Sequence, residues 1–384
     1  MSIGSGNKPW ALGLAWRLFS RAPVDYASAL NLGDLSVSRN PFRHYERLRE
    51  TGSVHYLPQH EAWIVLAYDD VQAALAQPET FSNSAYSAID RVLLAADPPD
   101  HQRVRRVVSR VFAPQAIQRL TAYAAQEALN LLDQTLDVVG DYAVPLSARV
   151  AAELLGLDGA ALAAIAAVRA QPNADTGQLV STIDELADRC TMFPRLRDDG
   201  FDDTQARSLI RLFWLAATST TERAIAHCVL LLLAHENMRD PDLVPPFVEE
   251  VLRLHPPELL VPRVASCDVE LGGVAVPAGA LIYLCLAAAN RDPSKYDAPA
   301  QFRLNRPKRR MLTFGGGPHM CIGAALGRNV LQVALRTLLT AAPHFRMAEP
   351  YDGLAGWSSM TSSPVGRLVI ETGLGVARRA PSPD

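Results

Sequence analysis

Paired cysteines are missing from this 384-residue chain. Its five cysteines, Cys190, Cys228, Cys267, Cys285 and Cys321, are scattered, and no two form a Cys-x-x-Cys pair. That excludes a disulfide framework and a structural zinc site, and it fits a reducing cytoplasm. Missing too is a run of about 20 apolar residues, the length a membrane-spanning helix needs. The N-terminal run from Trp10 to Trp16 is broken by Arg17 and has no small-residue cleavage site of the kind that ends a signal peptide. Neither charge is in large excess: 37 basic residues oppose 40 acidic ones, for a net charge of -3. A general nucleic-acid-binding surface is therefore not indicated. Repeats and long low-complexity linkers are absent as well. A single domain over 1–384 is expected, with residues 1–25 and 376–384 as a flexible leader and tail.

What is present is helical periodicity. The chain is 49% hydrophobic and 20% charged, an ordinary globular profile. From Pro114 to His235 it is Ala/Leu-rich and reads as helix almost throughout. Asn40 to Leu48 reads as a first helix, Val54–Tyr56 and Trp63–Leu66 as paired strands, and Asp69 to Leu75 as a helix capped by Asp69. Val269 to Gly279 reads as a hairpin turning at Gly272-Gly273. The fold class is mainly α with a small β portion.

One stretch points to chemistry: Phe314-Gly315-Gly316-Gly317-Pro318-His319-Met320-Cys321-Ile322-Gly323. A cysteine ends a glycine-rich loop and opens the apolar helical pattern Ala324 to Leu339. A helix N-terminus or a bound metal lowers a thiol pKa, and the thiolate is the metal-binding form. Glycines let backbone approach a flat group closely. The bland alternative is a glycine-rich turn with an inert buried cysteine. A phosphate loop is less favoured still, because no Gly-Lys-Ser/Thr follows.

The stretch resembles the haem-thiolate loop of the cytochrome P-450 family, Phe-x-x-Gly-x-x-x-Cys-x-Gly. Phe314, Gly317, Cys321 and Gly323 occupy every fixed position. The resemblance extends from about Asn40 to Ile370. It implies the cytochrome P-450 fold and a haem b whose iron takes an axial thiolate from Cys321, in a loop where Phe314, Gly315 and Gly323 lie against the cofactor.

Other motifs match the same family. Glu250-Val251-Leu252-Arg253 places Glu and Arg on one helix face. By itself that reads as an exposed ion pair. The resemblance makes Glu250, Arg253 and Arg306 a structural set that holds the proximal wall. His101 and Arg105 are four apart on one face; the family implies that they bind the haem propionates with Arg263 and His319, as planar guanidinium groups suit carboxylates.

The helix from Arg207 to His235 carries four consecutive hydroxyl residues, Thr218, Ser219, Thr220 and Thr221. Ser and Thr are mediocre helix formers, and one reading is that each hydroxyl merely bonds the carbonyl four residues back. The family reading is an oxygen-binding groove in which Thr220 steers protons. Here the chain departs from the pattern Ala-Gly-x-Asp/Glu-Thr-Thr: Ala217 replaces the glycine and Ser219 the acid. A serine cannot shuttle protons as a carboxylate does.

The alignment puts Leu212, Leu215 and Ala216 on the distal wall of a substrate pocket and Leu259 and Leu260 opposite, with the loop Ser82 to Leu94 above and Ser358 to Ser362 as a last wall. These residues suit a small hydrophobic substrate. A short stretch between Leu155 and the Thr218 helix implies a reduced lid, suited to a large or carrier-tethered substrate. Lys308, Arg309, Arg310, Arg103, Arg106, Arg110 and Arg328 form a basic cluster expected to steer an acidic, ferredoxin-like electron donor, itself served by a reductase. The resemblance thus implies a monooxygenase that inserts one oxygen atom from dioxygen, in secondary-metabolite biosynthesis. The alternatives are a coupling, desaturation or ring-forming oxidation, suggested by Ser219, and a non-catalytic haem-binding helper.

Overall fold

The computed structural model describes residues 26–86, 92–171, 175–351, 359–363 and 365–374. The expected leader and tail lie outside them, as do Ser358 and part of the 82–94 loop. Helices of seven or more residues are α1 (Pro41–Arg49), α2 (Tyr68–Ala76), α3 (Asp100–Val108), α4 (Pro114–Asn130), α5 (Val144–Leu155), α6 (Gly159–Arg169), α7 (Thr176–Leu186), α8 (Met192–Asp198), α9 (Asp203–Ala234), α10 (Val244–Leu254) and α11 (Ala324–Ala341). The strands are β1 (Val54–Leu57), β2 (Ala62–Val65), β3 (Phe81–Ser82), β4 (Thr135–Asp137), β5 (Leu260–Ala265), β6 (Val269–Leu271), β7 (Val274–Val276), β8 (Leu281–Cys285), β9 (Arg346–Met347) and β10 (Val369–Glu371).

The strands form three small sheets, ordered β1-β2-β8-β5-β3, β4-β10-β9 and β6-β7. The predicted pairs form as antiparallel ladders, with Val54 opposite Val65 and Leu271 opposite Val274. Gly272 and Gly273 both take positive φ in the hairpin turn, +54° and +79°, where a Cβ would be strained. The expected Asp69 cap is corrected. Ala67 precedes the helix, and Asp292 from a distant segment accepts the Tyr68 N–H at 2.8 Å. A tertiary carboxylate does the capping, which frees Asp69 to pair with Lys295 at 2.7 Å.

The 32-residue α9 organises the interior. It starts at a capping box in which Asp202 accepts the Gln205 N–H at 2.8 Å and Gln205 reaches back. Its C-terminal half packs with α4, α5, α10 and α11 around Ile225, Cys228, Phe247 and Leu335. Its N-terminal half packs beneath the shorter helices α6 to α8 around Leu209, Phe213 and Trp214. Three ion pairs tie the segment 159–189 to α9: Arg169–Glu222 (3.0 Å), Arg211–Asp184 (2.6 Å) and Arg207–Asp188 (2.7 Å). No helix among the described residues is long and apolar enough to cross a membrane.

Candidate active site

The loop before α11 is held by backbone bonds and by contact with α2. The Cys321 N–H donates to the Phe314 carbonyl at 2.8 Å, and the Gly315 N–H donates to Leu312 at 2.7 Å. Gly317 has φ +59°, and a Cβ there would sit 2.2 Å from the Leu75 carbonyl oxygen. Gly317 is needed for the backbone of α2, whereas a Cβ at Gly323 would make ordinary contacts with Phe112 at 3.6 Å and Cys321 Sγ at 4.0 Å. Cys321 is enclosed deep in the fold, yet its side chain stays accessible, so it opens onto an internal cleft. Burial raises its thiol pKa, and the Gly323 N–H, Arg105 and Arg328 counter that rise by favouring the thiolate. The helix start alone therefore does not produce a low thiol pKa.

Two histidines face each other beside this loop. The rings of His101, on α3, and His319 meet with centroids 3.8 Å apart and planes tilted by 34°. Both nitrogens of His101 and Nε2 of His319 are buried without a partner. Arg105 donates from Nη2 to the Met320 carbonyl at 2.7 Å, and Arg263, 5% exposed on β5, bonds Tyr86. Burial, the facing His101 and the two guanidinium groups push the His319 pKa down to about 3. Orphaned buried donors among cations are costly unless an anion completes them. The arrangement fits the two carboxylates of a haem, with His101, Arg105, Arg263 and His319 to hold them and Cys321 to meet the iron.

Glu250 lies behind the loop, inside a ring of donors. It accepts Arg253 Nε (2.8 Å) and Nη2 (2.7 Å), Arg306 Nε (2.8 Å) and the Arg303 N–H (3.0 Å). Arg253, 3% exposed, also donates to the carbonyls of Asn290, Pro299 and Gln301. Asn290, fully buried, passes this order to the loop: its Nδ2 donates to Thr313 Oγ1 and its Oδ1 accepts the Leu312 N–H, both at 2.7 Å. Sequence reasoning missed Asn290, because a lone Asn between helices gives no signal without its partners.

The hydroxyls of α9 bond back along the helix. Thr218, Ser219 and Thr220 donate to Trp214, Leu215 and Ala216 at 2.9, 2.8 and 2.8 Å. Each proton is committed to a carbonyl, and the lone pairs remain as acceptors. Ala216 is exposed and Leu215, Ala217, Ser219 and Thr220 are half-buried, whereas Trp214 and Thr218 are buried. Leu212 is corrected: it is 8% exposed and belongs to the core beside Phe213. Leu259 and Leu260 are corrected as well. Each is 1% exposed and points into the sheet core with Ile64 and Tyr283, because the Leu259 N–H is drawn to Thr361 at 2.6 Å and Leu260 pairs with Cys285.

Sequence reasoning also missed Arg223 and Glu258, which meet beside Ser362 of the expected last wall. Arg223 Nη1 lies 3.4 Å from Glu258 Oε1 and donates to the Ser219 carbonyl at 2.9 Å. Ser362 Oγ reaches both Glu258 oxygens at 3.2 Å. Of the basic cluster, Arg103, Arg106, Lys308, Arg309 and Arg310 are exposed. Arg110 is paired with Asp199, and Arg328 with Glu249 while stacking 4.1 Å over Phe314.

A family model described as Cytochrome P450 matches residues 242–350. "Cytochrome P450 109" of Bacillus spizizenii is 31% identical over 360 residues, covering 82% of this chain and 88% of that protein. The 6-deoxyerythronolide B hydroxylase of Saccharopolyspora erythraea is 30% identical over 387 residues, covering 86% and 95%. Among solved structures, the ligand-free P450 monooxygenase TamI superposes with a TM-score of 0.81 at 27% identity, covering 96% of this chain and all of that one. P450BioI, solved in complex with an acyl carrier protein ligated to hexadec-9Z-enoic acid, gives 0.75 at 27% identity, covering 88% and 99%.

Proposed function

Since the chain belongs to the cytochrome P450 family and is a haem-thiolate monooxygenase, we propose that Cys321 is its axial ligand and that it oxidises a hydrophobic small molecule of secondary metabolism. The observation that carries the assignment is the Cys321 loop, with its thiol served by the Gly323 N–H and two guanidinium groups and flanked by unpartnered buried imidazoles. The bound haem supplies dioxygen activation and oxygen transfer. The chain's own residues do the rest. His101, Arg105, Arg263 and His319 bind its carboxylates. Glu250, Arg253, Arg306 and Asn290 hold the loop rigid. Thr220, with free lone pairs on the open side of α9, accepts and orients hydrogen-bond donors at the oxygen side, with Ser219 beside it.

The substrate reading rests on Leu215 and Ala216 as apolar wall and on the short lid helices α6 to α8. The likeness to the carrier-protein complex of P450BioI supports a carrier-tethered substrate. Exposed Arg103, Arg106, Lys308, Arg309 and Arg310 support docking of an acidic ferredoxin-like donor. A non-hydroxylating oxidation is the second reading, favoured by a Ser219 hydroxyl tied to the Leu215 carbonyl.

The test is the carbon-monoxide difference spectrum of the reduced protein. A red-shifted thiolate-type band that disappears in Cys321→His is expected. A histidine-type band in the unaltered protein overturns the assignment. Product analysis over a panel of free and carrier-bound apolar substrates then separates hydroxylation from the second reading.

A further inference from the structure

The acid missing from position 219 has two potential replacements close to the middle of α9, each a carboxylate held by an arginine. Glu222 pairs with Arg169 of the lid at 3.0 Å. Glu258, at the entrance to β5, pairs with Arg223 at 3.4 Å and with Ser362. Helix geometry separates them. At 3.6 residues per turn, Glu222 projects about 160° away from Thr220, measured round the axis. Arg223 projects within about 60° of Thr220, on the flank it shares with Ala216 and Ser219. On that flank Ala216 is exposed and the Thr220 hydroxyl is accessible. Glu222 therefore serves the lid, and Glu258 is the carboxylate that the Thr220 flank meets.

We propose that Glu258, clamped by Arg223 and Ser362, supplies the exchangeable proton that α9 no longer carries at position 219. The inference rests on the haem-thiolate reading above and on the placing of Thr220 at the oxygen side. The step is a proton transfer only. The Glu258 O–H gives its proton by way of water toward the Thr220 flank, and the carboxylate takes one back from solvent; no electrons move. Three features suit the residue to this role. Its side chain keeps 35% of its surface accessible although it is held among Arg223, Tyr86 and Ser362. Ser362 and Arg223 together leave lone pairs of the carboxylate available. Burial raises its pKa above the ordinary carboxylate value, which favours the protonated form, and Arg223 first and then Ser362 temper that rise. The titratable and charged groups facing it are Arg223 from α9, Tyr86 from the 83–86 turn and, bonded to Tyr86, Arg263 of β5. Glu258 is a positioning residue in this account, acting through water on Thr220.

The test uses the holoenzyme without substrate. Two quantities are read from pH 5.5 to 8.5: the rate at which the oxygenated ferrous protein decays, and the carboxyl stretching band in infrared difference spectra of the ferric protein. Glu258→Gln is expected to slow the decay at least about tenfold, less than the roughly hundredfold or more that a directly acting general acid contributes, to flatten its pH profile and to remove one carboxyl band. Glu258→Asp restores part of the profile. Arg223→Met removes the tempering cation and shifts the limb to higher pH, a displacement that a purely structural role would not cause. Glu222→Gln leaves profile and band unchanged. The proposal is overturned if Glu258→Gln keeps the wild-type profile, or if Glu222→Gln abolishes it. If Thr220→Ala leaves decay unchanged while Glu258→Gln alters it, the placing of Thr220 fails and not that of Glu258. If no thiolate-type band forms, the underlying haem-thiolate reading fails instead. A Glu258→Gln protein that does not fold is replaced by Arg223→Met, whose shifted or unshifted limb decides the matter.

Discussion

Glu250 offers the sharpest energetic test of the wall behind the loop. Its carboxylate is 5% exposed and takes four donors, three of them from guanidinium groups. Glu250→Gln keeps the shape but turns one oxygen into an amide that meets those donors head-on, and it leaves Arg253 and Arg306 without a counter-charge. Breaking a buried charge set of this kind costs about 3–5 kcal/mol. Unfolding entropy of about 2.1 cal/mol/K per residue gives roughly 0.8 kcal/mol/K for a chain of this length, so Tm should fall by about 4–6 °C. Arg253 shares the Asn290 carbonyl, and Asn290 holds Leu312 and Thr313; haem release should therefore quicken along with the loss of stability. Thermal melting by circular dichroism and transfer of haem to apomyoglobin measure the two effects. A double cycle with Arg306→Met should be non-additive by 1 kcal/mol or more, since the second change relieves a charge the first left unpaired. A Tm loss under about 1 °C, or strict additivity, would refute the reasoning.

Gly317→Ala should fail more severely than Gly323→Ala, because only the first drives a Cβ into the Leu75 carbonyl at a left-handed φ; haem content per folded chain checks the contrast. Arg105→Leu should weaken haem retention by removing both a carboxylate partner and the bond to Met320, measured by the same transfer assay. The stacked pair His227 and His255 should make the protein acid-sensitive. Burial lowers His227 to about 4 and His255 well below its usual value, so the unfolded chain binds more protons than the native one in that window. Their stabilising contribution is intact above about pH 6.5 and is lost as pH falls toward 4, on the order of 3 kcal/mol from His227; His227→Leu should flatten urea midpoints between pH 6.5 and 4.5, and an unchanged slope would sink the idea.

Much of this protein is legible without coordinates where the signal is local. Hydrophobic periodicity marks α9, alternating residues mark β1 and β2, and glycine marks the β6–β7 turn, because each depends on neighbours within a turn or a hairpin. The cysteine loop is legible for the same reason: its chemistry and its glycines lie within ten residues. Reading fails where a side chain's direction is settled by a distant partner. The Asp69 cap is taken over by Asp292, and Leu259 and Leu260 turn into the sheet because Thr361 and Cys285 fix the register. The sequence by itself determined the helical class, the thiolate loop, the charged wall motif and the absence of an acid at position 219. Only the tertiary structure decided that Asn290 ties the wall to the loop, that Gly317 answers to α2 and that Glu258 reaches Arg223 on the Thr220 side of α9. Those outcomes depend on groups far apart in the chain, and no local periodicity records which distant donor meets which acceptor once the core has closed.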